Sequence, residues 1–206
     1  MSHRLLTSRT IRAGYCFALV AFGVLTVYGD QQGGDNRGDL VRGNKPGEWR
    51  YWGGDAWSTR YSPLDQINAS NFGALKMAWQ WNAGAFGSDE YYRTTPLYAN
   101  GRLFTVATTR RIAAAIDPEK GETLWMWRMD EGIRWQKAPR QFAGRGPAYW
   151  TDGKTERVIV VTPGYHMASL DAKTGRPDPA FGKDGIVDLM DGLGSVSYTH
   201  LRAHET

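Results

Sequence analysis

The sequence predicts an all-β fold, a partial β-propeller of about three blades, and three observations carry that prediction. The chain has 206 residues with 9 Trp, 10 Tyr, 7 Phe and 25 Gly, a composition that favours short strands and tight turns over long amphipathic helices. Similar stretches recur with a period of about 50 residues, and a repeat of that length built from four short strands is the signature of a propeller blade. The strand candidates are nearly continuous apolar runs, such as Leu103-Phe104-Thr105-Val106-Ala107 and Val158-Ile159-Val160-Val161. A sheet with one wet face would alternate instead, so both faces of these sheets should be covered, as when blades are sandwiched side by side.

One repeat spans residues 94–128. It reads as an extended segment 94–98, a turn at Asn100-Gly101, a strand 102–107, a turn at 108–110, a strand 112–116, a turn through Pro118 and Gly121, and a strand 123–128. Asn-Gly tolerates the positive φ of a type I′ hairpin turn and is a strong hairpin signal. A second repeat, residues 146–178, has turns at Asp152-Gly153 and Pro163-Gly164, strands at 157–162 and 166–170, and a turn at 171–175. Asp117 and Gly121 map onto Asp171 and Gly175, each 54 residues on. A partial earlier copy ends in Trp79-Gln80-Trp81, 46 residues before Trp125-Met126-Trp127. Trp79 and Trp125 fall in the last strand of their units, where a large ring can wedge into the next blade.

The flanks differ in kind. Residues 1–29 carry Arg4, Arg9 and Arg12, no acid, and an apolar run over 13–27. This is the pattern of a secretory signal peptide; the run is short for a membrane span, which needs about 20 residues, though an uncleaved anchor and a buried helix stay open. Residues 30–48 are Gly-rich and polar and read as an arm, residues 49–194 as the folded blades. Residues 195–206 share neither turn grammar nor repeat phase with the blades and read as a non-native tail; His200 and His204 have a zinc-compatible spacing without a third ligand nearby. Cys16 is the single cysteine, so a chain freed of its signal has no disulfide, Cys-ligated metal or Cys-x-x-Cys-His haem site. The net charge of +4 also resides largely in the first segment: 25 basic residues less these 3 leaves 22 against 21 acidic ones. That balance gives no footprint for a phosphate backbone, and no nucleic-acid partner is expected.

Three ordered motifs then point to a family. GEWRYWGGDAWSTRYSPLDQINASNFGALKMAWQW, the signature Ala115-x-Asp117-x-x-Lys120-Gly121-x-x-x-Trp125, and GRGPAYW followed by VIVVTPGYHMASLDAKTGRPDPAFGKDGIVDL together resemble the N-terminal part of the pyrroloquinoline-quinone (PQQ)-dependent dehydrogenases. The last stretch is most like the glucose-dehydrogenase branch. The resemblance implies an eight-bladed quinoprotein propeller that holds PQQ near its axis with Ca²⁺. It also implies oxidation of a sugar or alcohol by hydride transfer to the quinone, with electrons passing to a respiratory acceptor, a cytochrome c or a quinone, in the periplasm or at its membrane.

On the same resemblance, Arg145 of Gly144-Arg145-Gly146 matches an arginine that contacts the quinone, whose carboxylates suit a guanidinium fork; an arginine satisfying loop carbonyls is the alternative. Thr162 matches a threonine that hydrogen-bonds the cofactor, although a strand-end threonine is commonplace. Arg93 stands where many members carry a glutamate, and either pairs with the cofactor's acids or faces solvent. The adjacent-cysteine pair of some alcohol-oxidising members is absent, with Gln141-Phe142-Ala143 in its place. The calcium ligands and catalytic aspartate lie beyond the matched stretch. The expected function is therefore part of a periplasmic quinoprotein dehydrogenase; the alternatives are a non-catalytic propeller serving as an envelope scaffold and a sugar-binding module without turnover.

Overall fold

A computed structural model describes residues 40–88 and 92–193; the apolar N-terminal segment and the tail after residue 194 lie outside the described residues. The described part falls within one unit, Gly33–Thr206. It contains two four-stranded antiparallel sheets, each laid out in chain order. The first comprises β1 (Leu97–Ala99), β2 (Arg102–Ala107), β3 (Ile112–Ile116) and β4 (Thr123–Trp127). The second comprises β5 (Ala148–Thr151), β6 (Glu156–Val161), β7 (His166–Asp171) and β8 (Ile186–Asp188), with a single helical turn, α1 (Ile133–Gln136), between the sheets.

Up-and-down order follows from the turns. Asn100 and Gly101 both have positive φ, 46° and 73°, the type I′ geometry whose twist matches the flanking strands. Ladder register runs Leu97↔Phe104 across β1–β2 and Leu103↔Ile116 across β2–β3. All five residues of β3 are buried, the expected mark of a central strand covered on both faces.

The cores of the two blades merge. Leu97, Phe104, Val106 and Trp125 of blade one pack in one cluster with Val158, Val160, Ala168 and Leu170 of blade two. The Phe104 ring lies 6.1 Å from Trp125 and 6.0 Å from Tyr149. At the outer edge, Trp125 donates Nε1–H to the carbonyl of Ala172 at 3.0 Å, and its ring rests on Gly175, where an added Cβ would come within 2.5 Å of it. Trp79 repeats the arrangement one blade earlier, donating to Pro118 O at 2.9 Å and covering Gly121. A tryptophan thus docks on the Asp–Gly turn of the following blade; burying such a ring contributes up to about 4–6 kcal/mol.

Two expectations about strands are corrected. Residues 75–81 form no strand among the described residues and, apart from the two ring anchors, are exposed; a last strand needs three inner strands to pair with, and the residues before it supply none. The fourth strand of blade two comes later than residue 178. Pro177 has no N–H to extend a ladder and makes a single bridge to Leu170, after which β8 pairs with the first half of β7. The segment just before Trp49 is tied to blade one: Glu48 accepts the backbone N–H of Asn100 at 2.8 Å, Lys45 reaches the Asn100 side chain at 2.9 Å, and Trp49 exchanges both backbone bonds with Tyr98.

Candidate functional site

The loop joining the blades is shaped by two glycines and a buried threonine. Thr94 donates its hydroxyl to Val106 O at 3.0 Å, with Gly144 O at 3.3 Å, and Thr95 N–H donates to Arg145 O at 3.3 Å. Gly146 has φ 120°, and a Cβ there would stand 2.9 Å from Thr95 O. Gly144 has φ 79° and lies against the Arg111 guanidinium. Both positions require glycine, and the loop they shape presents Arg145 between them.

Arg145 borders a cavity of about 700 Å³ between the blades. Among the described residues, four arginines line it, Arg93, Arg111, Arg140 and Arg145, with no Asp or Glu beside them in the lining; Val106, Ile159, Val160 and Met167 give it an apolar wall. Arg111 crosses from blade one to blade two, donating Nε–H to Phe142 O at 2.8 Å and an Nη1–H to Val161 O at 3.0 Å. Burial lowers the pKa of its guanidinium, an effect opposed by the negative charge of Glu131. The Arg145 guanidinium carbon stands 5.9 Å from the centroid of Trp52, whose ring also carries Arg60 at 4.6 Å, within the range of cation–π attraction.

The structure brings Arg93 and Arg145 to one cavity and places Thr162 outside its lining. Thr162 is buried, donates to the carboxylate of Glu131 and accepts the His166 backbone N–H at 3.0 Å. Glu131 also accepts Gly164 N–H at 3.0 Å and pairs with His166 Nδ1 at 2.7 Å, its own side chain almost wholly buried. On the far side of the imidazole an Arg134 Nη1–H faces His166 Nε2 at 3.0 Å, and Arg134 forks onto Asp188. Since a guanidinium can only donate, Nε2 accepts and the proton sits on Nδ1, directed at Glu131. The repeat gives Thr162 a further context: Thr108, 54 residues earlier, is also buried at the matching turn, and both threonine carbonyls accept the N–H three residues on, from Arg111 and Tyr165.

Arg111, Arg140 and Glu131 escape sequence reasoning. The one signal for Arg111 is a pair of adjacent arginines in a turn that the second repeat fills with Gly164-Tyr165. Chemically the cavity suits an anion with a flat apolar body: forks for carboxylates and an aliphatic wall for a ring. A polycarboxylate quinone fits this donor set. A calcium ion does not, because four cations surround the space, and the described residues contain no group of three or more His, Cys, Asp or Glu that could hold a metal.

Residues 49–205 match the family model for the glucose/ethanol/alcohol dehydrogenase β-propeller domain, PQQ type. The chain is 35% identical over 173 residues to the dehydrogenase subunit of a quinone alcohol dehydrogenase from Gluconacetobacter polyoxogenes, covering 82% of this chain and 22% of that one. It is 31% identical over 160 residues to a glycerol dehydrogenase large subunit from Gluconobacter thailandicus, covering 72% and 21%. Among solved structures, the quinohemoprotein alcohol dehydrogenase from Comamonas testosteroni superposes with a TM-score of 0.57 at 28% identity, covering 76% of this chain and 21% of that one. The chain therefore spans about a fifth of the length of the relatives it matches.

Proposed function

We propose, since this chain belongs to the β-propeller family of PQQ-dependent glucose, ethanol and alcohol dehydrogenases, that it forms the first blades of a quinoprotein that oxidises a sugar or an alcohol. The observation that carries this reading is Arg145, held between two glycines at the rim of a cavity whose described lining holds four arginines and no acid. When bound, the quinone supplies the hydride acceptor. The residues of this chain would bind and orient it: the guanidiniums would hold carboxylates, and Val106, Val160 and Met167 would shield an apolar body from water. No carboxylate of the described lining takes a proton, so the general base belongs elsewhere in the whole protein. The basic and apolar N-terminal segment supports a periplasmic location, and a respiratory acceptor there would take the electrons. The scaffold reading is less well supported, because the relatives at 35% and 31% identity are a quinone alcohol dehydrogenase subunit and a glycerol dehydrogenase subunit.

The test uses the full-length protein. Apo-protein should gain dye-linked oxidation of alcohols or aldoses on addition of PQQ, and the 206-residue chain alone should stay at background. Arg145→Ala should weaken PQQ binding by about one to two decades, as loss of a charge-assisted hydrogen bond of roughly 1.5–3 kcal/mol implies, with Arg145→Lys recovering part. An unchanged dissociation constant in calorimetry, or no turnover across both substrate classes, would put the scaffold reading ahead.

A further inference from the structure

The cavity between the blades carries more positive charge than one arginine motif accounts for. Arg93, Arg111 and Arg140 line it beside Arg145, and none of these three is part of the Gly-Arg-Gly motif. Arg111 is fixed before any ligand arrives, because Phe142 O and Val161 O hold two of its five N–H donors; such preorganisation removes an ordering cost from binding. Glu131, whose charge acts on Arg111, is not among the described lining residues, and its carboxylate is occupied by Thr162, Gly164 and His166. Four like charges around one space repel one another, weakly at the exposed Arg93, Arg140 and Arg145 and more at the partly buried Arg111. A ligand carrying several negative charges relieves that repulsion; a single carboxylate leaves most of it in place.

We propose that Arg93, Arg111, Arg140 and Arg145 act together as a polycarboxylate clamp that selects ligands by their number of carboxylate groups, Arg93 and Arg140 being specificity-determining residues and Arg111 the prepositioned one. The clamp names residues for the cofactor reading above, yet its chemistry can be tested apart from it, since a free tricarboxylate and the quinone present the same groups.

The experiment titrates citrate, acetate and PQQ separately into the apo whole protein by calorimetry at constant ionic strength. Citrate should bind at least about tenfold tighter than acetate, and Arg140→Gln and Arg93→Glu should each weaken citrate and PQQ by about tenfold, the scale of one charge-assisted contact. Arg111→Gln should do the same, with melting temperature followed alongside because it also loses two ties to blade two; Arg140→Gln carries the test if that variant fails to fold. Equal affinity for citrate and acetate overturns the clamp, as does unchanged citrate binding in Arg140→Gln and Arg93→Glu. Citrate binding that the variants weaken, with no PQQ binding at all, upholds the clamp and sinks the cofactor reading. PQQ binding that the variants leave intact does the reverse.

Discussion

The two ends of the blades obey different rules. At the outer end, the β3–β4 turn of blade one and the turn after β7 in blade two are near copies. Asp117 accepts the N–H groups of Glu119 and Lys120 as Asp171 accepts those of Lys173 and Thr174, Gly121 and Gly175 both have positive φ, and each turn receives a tryptophan indole from the blade before. At the inner end, the β2–β3 and β6–β7 turns keep the same backbone but not the same chemistry. Arg111 and Tyr165 are equivalent, and both are left-handed with φ of 50° and 66°, yet one is a cation spanning the blades and the other is not. The end that joins blades repeats because every junction poses the same packing problem, whereas the end that faces the cavity can vary at fixed backbone. Candidate binding chemistry lies where the repeats diverge.

The most severe way to break the outer end is to remove its indole. Trp125→Ala deletes a ring that is almost fully buried between Phe104, Gly175 and the Ala172 carbonyl and should cost about 3–5 kcal/mol, the usual range for a buried aromatic. Trp79→Ala removes the equivalent but less buried ring and should cost clearly less. Denaturant unfolding of the whole protein measures both. Equal losses would mean that ring burial does not set the strength of the junction.

The same division decides how much could be read from the sequence. Strands 102–107 and 112–116 fall where the pattern places them, because Asn-Gly and Asp-x-x-x-Gly punctuate them and apolar runs fill them. The docking of Trp79 and Trp125 was legible from spacing alone. The fourth strand of blade two was not: Pro177 and Pro179 interrupt the ladder, and nothing local marks Ile186–Asp188 as its continuation. The site was half legible. Arg145 sits between glycines whose φ demands are visible as a motif, but Arg111 and Arg140 reach the cavity through tertiary placement. Glu131 meets Thr162 from 31 residues away, with no periodicity to announce it.

Thr162 tests the inner end, where its resemblance to a cofactor-binding threonine and its repeat equivalence to Thr108 make opposite predictions. Its hydroxyl is the donor to a buried carboxylate and the acceptor for His166 N–H, so Thr162→Val should cost about 1–3 kcal/mol, the penalty for stranding buried polar groups. PQQ affinity, measured by calorimetry on the folded variant, should stay within about twofold if the role is structural. A decade or more of lost affinity with stability intact would return Thr162 to the cofactor site and make the inner end of blade two functional as well.

The smallest effect concerns the Arg134–Asp188 pair at the inner end of blade two. Arg134 forks onto Asp188, and that hydrogen bonding, with a further one from Met190 N–H, lowers the Asp188 carboxyl from its ordinary 3.8 to about 2. A carboxyl whose pKa is lower folded than unfolded adds stability above the unfolded value and loses it as pH falls through the folded one. The contribution of Asp188 should therefore be complete above about pH 4 and disappear towards pH 2. Both partners are substantially exposed, at 34% and 42%, so solvent screening holds the effect to under about 1 kcal/mol. Hydrogen bonds from nearby backbone N–H groups also lower the pKa values of Asp117 and Asp152, which makes the difference between wild type and Asp188→Asn the quantity to follow. Their melting temperatures should differ slightly at pH 6 and converge near pH 2, and added salt should shrink the gap at pH 6. A gap that persists at pH 2 would mean that Asp188 acts through packing of the β8 end, and the charge clamp would then contribute nothing that sets the inner end of blade two apart.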